Sequence, residues 1–288
     1  MTPPSSKTTT SKASRNSNKQ LASKKDSIVV LKDRSQLAAA RRIVVKVGSS
    51  SISGDNEPQL DLLVDAIAAT MSRGVEVILV SSGAIATGMP LLGLTTKPED
   101  LATSQALASV GQSRLIARYQ QSLERYGLIA GQILLTSGDL DGDETRANAG
   151  LAMNRLLELG VLPIVNENDT VATQEIRFGD NDRLAALVAV LAHADALILL
   201  SDVDALYDMP PTRPGAKAID VVAADADLSL IEVGGTSTGV GTGGAVTKLG
   251  AARVATDAGV AVLLTSAANV SKALEGSHIG TWFSALAS

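Results

Sequence analysis

Residues 60–80, LDLLVDAIAATMSRGVEVILV, decide how this chain folds. Leu60, Leu63, Val64, Ile67, Ala68 and Met71 recur at the spacing of one helical face. Gly74 ends that pattern, and Val75-Glu76-Val77-Ile78-Leu79-Val80 follows as an apolar, β-branched run suited to a buried strand. Upstream stands a second such run, Ile43-Val44-Val45-Lys46-Val47. Strand, helix and strand in so short a span form the unit of a parallel sheet. The alternation continues, with helices expected near 100–125, 145–159, 182–193 and 245–258 and strands at 128–135, 161–165, 196–200 and 259–264. The expected fold class is α/β: a three-layer sandwich with a mostly parallel open sheet and helices on both faces. No internal repeat is evident.

Composition narrows the function. At 288 residues with 45% hydrophobic content, the chain can bury a large core. Aromatic residues make up 2%, so Ala, Leu, Val and Ile must build it, and stacking platforms for nucleic acid are scarce. Cysteine is absent, which removes disulfides, thiolate metal sites and a cysteine nucleophile. Residues 1–42 hold ten Lys or Arg against two Asp, a balance of +8, while 43–288 hold 15 basic and 28 acidic residues, a balance of −13. An acidic body does not suit a general polyanion-binding surface. Residues 1–27, mostly Ser, Thr, Lys and Asn with hardly any large apolar side chains, read as a disordered basic tail. The scarcity of acids before Asp26 resembles an organellar transit peptide; against it stand more Lys than Arg and no amphipathic period. Residues 28–288 read as a single domain, with Ile28-Val29-Val30-Leu31 as a small edge strand. The most membrane-like stretch, Leu184 to Leu200, is interrupted by His193 and Asp195, so a helix followed by a central strand is expected, with no membrane span. No apolar signal-peptide core opens the chain, and a cytoplasmic location is expected.

In parallel sheets ligands sit beyond the carboxyl ends of the strands. Four such ends are small, polar or charged: Lys46-Val47-Gly48-Ser49, Ser81-Ser82-Gly83-Ala84, Asn166-Glu167-Asn168-Asp169 and Ser201-Asp202. A lysine at the end of a buried strand must send its ammonium into a cleft, because an unpaired buried charge is too costly. Lys248 ends the glycine-rich stretch Gly239-Val240-Gly241-Thr242-Gly243-Gly244-Ala245-Val246-Thr247-Lys248 and can reach the same cleft. Two ammoniums facing a chain of phosphates suit phosphoryl transfer, whose catalysis is mostly positioning and charge stabilisation.

Each feature has a plainer alternative. Gly48-Ser49-Ser50 can bring backbone N–H groups to phosphate or simply turn from strand to helix. The later stretch contains a formal GxGxxG at Gly239, Gly241 and Gly244, but it lies too late in the chain for a dinucleotide fold. It is no Walker motif either, since Ala245 follows Gly244 and Leu249 follows Lys248. A mobile, donor-rich loop that wraps phosphates remains, beside the alternative of a linker. Asn166-Glu167-Asn168-Asp169 and Gly179-Asp180-Asn181-Asp182 gather carboxylates that could bind Mg²⁺, hold an amine or orient the lysines. Alternatively Asn181 or Asp182 caps the helix that follows. No metal ligand set is directly assigned. His193 and His278 are isolated and read as packing or surface residues. Ser82-Gly83-Ala84 lacks the pattern of a nucleophile elbow.

Seven strings in order resemble the amino acid kinase family over about residues 42–284. They are Val45-Lys46-Val47-Gly48-Ser49, Ser81-Ser82-Gly83-Ala84-Ile85-Ala86, Gly111-Gln112-Ser113-Arg114-Leu115, Gly131-Gln132-Ile133-Leu134-Leu135-Thr136, Val165-Asn166-Glu167-Asn168-Asp169, Phe178-Gly179-Asp180-Asn181-Asp182, and Gly241-Thr242-Gly243-Gly244 through Thr247-Lys248. The match is nearest to the glutamate-phosphorylating branch. The resemblance implies ATP-dependent phosphorylation of the L-glutamate γ-carboxylate, the first step of proline synthesis, with ATP and Mg²⁺ as cofactors. It implies that Lys46 and Lys248 stabilise the transferring phosphoryl group and that Asp182 holds them. It assigns Ser82, Asp169 and Asn181 to glutamate. To the nucleotide it assigns Lys46, Gly48, Ser49, Ser201, Asp202 and the loop Thr242, Gly243, Gly244, Ala245, Val246, Thr247 and Lys248. Proline as feedback inhibitor, a homo-oligomer and a glutamyl phosphate reductase as partner follow from the same resemblance. The C-terminal PUA domain of many bacterial relatives is not expected here. Competing readings are another acceptor (acetylglutamate, aspartate, carbamate or uridylate) and a non-catalytic nucleotide-binding protein.

Overall fold

Period-two alternation along the strands sends neighbouring side chains into two separate cores. In strand β1 (Arg42–Val47), Ile43, Val45 and Val47 pack into one hydrophobic cluster and Val44 into the other. This computed structural model describes residues 30–171, 181–226 and 244–286. Its other strands are β2 (Glu76–Ser81), β3 (Ala130–Leu135), β4 (Leu162–Glu167), β5 (Ala196–Ser201), β6 (Val221–Val222), β7 (Ala261–Ser266) and β8 (Thr281–Phe283). They form one sheet in the order β3-β4-β2-β1-β5-β7-β8-β6. Every pairing is parallel except β7 with β8. The expected mostly parallel sheet is therefore present.

Helices cover both faces. On the first lie α1 (Gln59–Ser72) and α3 (Leu101–Glu124), which contribute Leu60, Leu63, Val64, Ile67, Leu115, Tyr119 and Leu123 to one cluster. On the second lie α5 (Asp143–Glu158), α6 (Asn181–Leu191) and α7 (Ala245–Asp257), represented by Met153, Leu157, Ala185, Val188, Ala252 and Ala255. The short helices α2 (Ala84–Leu91), α4 (Ser137–Asp141) and α8 (Val270–Leu274) complete the set among the described residues.

Strands that are buried on both faces read as continuous apolar runs, which is why β1, β2 and β5 stood out in the sequence. Leu184 to Leu200 is α6, a turn and β5, as expected, and no described helix is long and apolar enough to cross a membrane. His193 sits exposed in that turn with φ of 49°, and His278 lies at the surface beside Asp220. One expectation is corrected. Val30 and Leu31 form no strand; Leu31 is buried as an anchor in the first core, while Ile28, Val29 and the tail 1–27 lie outside the described residues.

Candidate active site

Lys46 is the penultimate residue of β1 and pairs in register with Val80 of β2 and Leu199 of β5. Two residues beyond Val44, it shares the face that α6 and α7 cover. Its side chain is buried, and its Nζ lies 2.7 Å from Asp182 Oδ1. Lys248, in the first turns of α7, brings its own buried Nζ to 3.2 Å from Asp182 Oδ2. One carboxylate thus joins two lysines from distant parts of the sequence. Thr247 Oγ1 donates to the same Oδ2 at 2.8 Å and approaches the Gly244 carbonyl oxygen at 2.9 Å. The structure therefore brings Lys46, Lys248, Asp182 and Thr247 together at the carboxyl edge of the sheet.

Burial works against the ionised form of Asp182. The Lys46 and Lys248 ammoniums and the hydrogen bonds from Lys46 and Thr247 outweigh it and hold the carboxyl down at about 2. Lys248 is also held below its ordinary value, which for a lysine works against the charged form. Burial is the main cause and the Lys46 charge adds to it, against the pull of Asp182 and, more weakly, Asp202. With two ammoniums to one carboxylate, the centre keeps one uncompensated positive charge. Such a centre favours a polyanion.

Asn181 and Asp182 are the first two residues inside α6, not a cap preceding it, and position 180 lies outside the described residues. Asp182 also gains from the positive end of the helix dipole. Gly48 follows β1 at close quarters, since a Cβ there would stand 3.7 Å from Lys46 Nζ. The turn after it is a three-residue 3-10 turn, Ser49–Ser51, and the first α-helix begins only at Gln59. Gly83 adopts φ of 108°, where its missing side chain would lie 3.6 Å from the Ser49 backbone. The first two strand ends are thereby packed against each other. At the end of β5, Ser201 is half-buried, and exposed Asp202 accepts from Ser50 Oγ at 2.8 Å. Gly244 and Ala245 open α7 half-buried, and Val246 is exposed. Thr242 and Gly243 lie outside the described residues.

The second half of the site is made of amides. Asn181 Nδ2 donates to Ser82 Oγ at 2.8 Å and to Asn166 Oδ1 at 3.3 Å. Asn166 Oδ1 also accepts from the Glu167 backbone N–H at 2.9 Å, and Asn166 Nδ2 donates to Gln112 Oε1 at 2.7 Å. Asn181 Oδ1 is buried with no hydrogen-bond partner among the described residues. Asp169, just past β4, is half-buried, and its carboxyl is pushed up to about 7 by burial and by Glu167, with Lys97 opposing weakly. Ser82 and Asn181 are therefore joined directly, whereas Asp169 stands two residues beyond the end of β4 and is bonded to neither. Asn166 and Gln112 were not among the candidates. Their strings stood out in the sequence, but a bond between residues 54 positions apart leaves no local signal.

The sequence pattern of the amino acid kinase family matches residues 41–266, from the start of β1 to the end of β7. The chain belongs to the amino acid kinase family. This amino acid kinase is 66% identical over 250 residues to glutamate 5-kinase of Clavibacter sepedonicus, covering 87% of this chain and 96% of the relative. It is 60% identical to glutamate 5-kinase of Leifsonia xyli subsp. xyli, covering 88% and 95%. The glutamate 5-kinase of Thermobifida fusca is 56% identical, covering 87% of this chain and 66% of that protein. Among solved structures, carbamate kinase from Giardia lamblia bound to AMP-PNP superposes with a TM-score of 0.61, covering 86% of this chain and all of that one. At 17% identity it shares the fold of this amino acid kinase and nothing finer.

Proposed function

We propose that the protein transfers the γ-phosphoryl group of ATP to the γ-carboxylate of L-glutamate, giving L-glutamyl 5-phosphate and ADP. The observation that carries the proposal is the Lys46–Asp182–Lys248 cluster at the carboxyl edge of the sheet. A carboxylate oxygen attacks the γ-phosphorus, an O–P bond forms, and the bond to the β–γ bridging oxygen breaks. The acceptor is already ionised at neutral pH, so no proton must be removed and no catalytic histidine is needed. What the step requires is cations where two anions meet. Lys46 and Lys248 supply them, and Asp182 fixes their separation without cancelling both charges.

Ser82 and Asn181 are proposed to bind glutamate, with Asp169 taking its ammonium. Gly48, Ser49, Ser201, Asp202 and the segment Thr242 to Lys248 are proposed to hold ATP. Mg²⁺ favours phosphate and water oxygens with one or two carboxylates, so it would arrive on ATP, with exposed Asp202 available at the edge. The glutamate preference is supported by relatives of that name matching across nearly their full length. Proline as feedback inhibitor, a homo-oligomer, a glutamyl phosphate reductase as consumer of the labile acyl phosphate and a cytoplasmic setting belong to the same reading.

A coupled assay of ADP release with Mg²⁺-ATP over glutamate, acetylglutamate, aspartate, carbamate and uridylate tests the proposal. Turnover with glutamate alone is expected. Turnover with acetylglutamate and none with glutamate would replace the proposed acceptor, because acetylation removes the ammonium that Asp169 is proposed to hold.

A further inference from the structure

We infer that Gln112 is a positioning residue that, together with the Glu167 backbone N–H, locks the polarity of the Asn166–Asn181 relay and thereby strengthens the preference for an acceptor bearing an α-ammonium. The inference rests on the glutamate reading of the site. Gln112 lies on α3 immediately after Gly111, where a Cβ would come within 1.8 Å of the Ala84 carbonyl oxygen. That close crossing of α3 over α2 places the half-buried Gln112 side chain against the end of β4.

A carboxamide has one accepting end and one donating end, so fixing one end fixes the other. Asn166 is held from both ends: the Glu167 backbone N–H donates to its Oδ1, and Gln112 Oε1 accepts from its Nδ2, which leaves Oδ1 to accept from Asn181 Nδ2. Asn181 spends its donors on Asn166 and Ser82 and is left with Oδ1 as a buried acceptor without a partner. A buried unpaired acceptor is costly, and the group that relieves it must be a donor. An ammonium offers three donors and no acceptor. Reversal of the relay would present an Asn181 amide NH2 in place of the oxygen, and an ammonium would then meet donors. Asn166 is nearly fully buried, so removal of the Gln112 oxygen strands its Nδ2 and loosens the choice of orientation.

The test compares glutamate with glutarate, the same dicarboxylate without the amine. For each variant the glutarate inhibition constant is divided by the glutamate KM, a ratio of concentrations that does not depend on how much of the protein is folded. Gln112→Leu is expected to lower this ratio about tenfold, the scale of one hydrogen bond to a charged group. The ATP KM should stay within about twofold. Gln112→Glu keeps an accepting oxygen in the same place and is expected to retain the ratio. An unchanged ratio in Gln112→Leu, or equal loss in Gln112→Glu, would overturn the inference while leaving the glutamate reading intact. A wild-type protein that does not turn over glutamate would overturn both.

Discussion

Asp182 divides one carboxylate between two ammoniums, so the three members of the cluster respond differently to substitution. In Lys248→Ala the carboxylate keeps Lys46 at 2.7 Å, no buried charge is stranded, and the fold should survive. Turnover should still fall by roughly two to three orders of magnitude, the cost of losing one preorganised charge stabiliser. Steady-state kcat together with a melting curve checks this, and near-normal turnover would remove Lys248 from the mechanism. Asp169 behaves in another way. Its carboxyl, raised to about 7 by burial and Glu167, is half protonated near neutral pH. An ammonium needs the ionised form, so the glutamate KM should rise about tenfold from pH 8 to pH 6 while the ATP KM stays level. Asp169→Asn should raise the glutamate KM and abolish that dependence. For folding the sign is opposite: the native carboxyl holds its proton up to about 7 and the unfolded one only to 3.8. Asp169 therefore disfavours the folded state at high pH, and the penalty fades as pH falls through 7 towards 4.

At the scale of elements, the crossing of α2 and α3 sets where the substrate-side residues stand. Gly88 and Gly111 face each other there; a Cβ at Gly88 would lie 2.1 Å from the Leu107 carbonyl oxygen, and one at Gly111 would lie 2.6 Å from Gly88 N. Backbone contacts this close cannot give way by rotating a side chain. Gly111→Ala should therefore destabilise the protein by about 1–3 kcal/mol and raise the glutamate KM by displacing Gln112. Gly250, in the middle of α7, has open space around it and should gain about 0.5–1 kcal/mol as alanine, with kinetics unchanged. Paired thermal melts of the two variants check both signs. The crossing also explains which elements were legible in the sequence. Helices α1, α3 and α6 carry long periodic apolar faces and were expected within two residues of their ends. Helix α2 was missed because Gly88 and Pro90 dilute its pattern. Strands β6 and β8 were missed because two and three residues are too few to show alternation. Lys46 could be singled out because a charge closing a buried strand demands a partner, and Lys248 because it ends a glycine-rich stretch, whereas the role of Asp182 came from the family resemblance. Gln112 could not, because a neutral amide in the middle of a helix looks like any surface residue.

Across the whole molecule, the segment that precedes β1 closes the far edge of the sheet. Arg34 is buried and donates to the carbonyl oxygens of Ile279 at 2.8 Å, Gly280 at 3.1 Å and Asp220 at 2.6 Å, with the Asp220 carboxylate at 2.8 Å. Leu31 and Leu37 pack into the same core cluster as Trp282 of β8. Gly276 lies so close that a Cβ there would come 2.8 Å from the Ser35 carbonyl oxygen. Residues 30–40 therefore hold together β6, β8 and the turn before β8, none of which is a long strand able to stand alone. Removal of residues 1–29 deletes none of these contacts and should leave melting temperature and kcat unchanged. Removal of residues 1–40 takes away Arg34 and Leu37 together. The Leu37 cavity alone is expected to cost about 2–5 kcal/mol, and the carbonyl groups lose their shared donor as well. Trp282 is the single tryptophan of the chain and is fully buried, so its emission reports on this edge directly. The longer truncation should shift that emission to the red and lower the melting temperature by several degrees, whereas the shorter one should match the intact chain. Identical spectra and melts for both truncations would show that the edge strands hold without the Arg34 clamp.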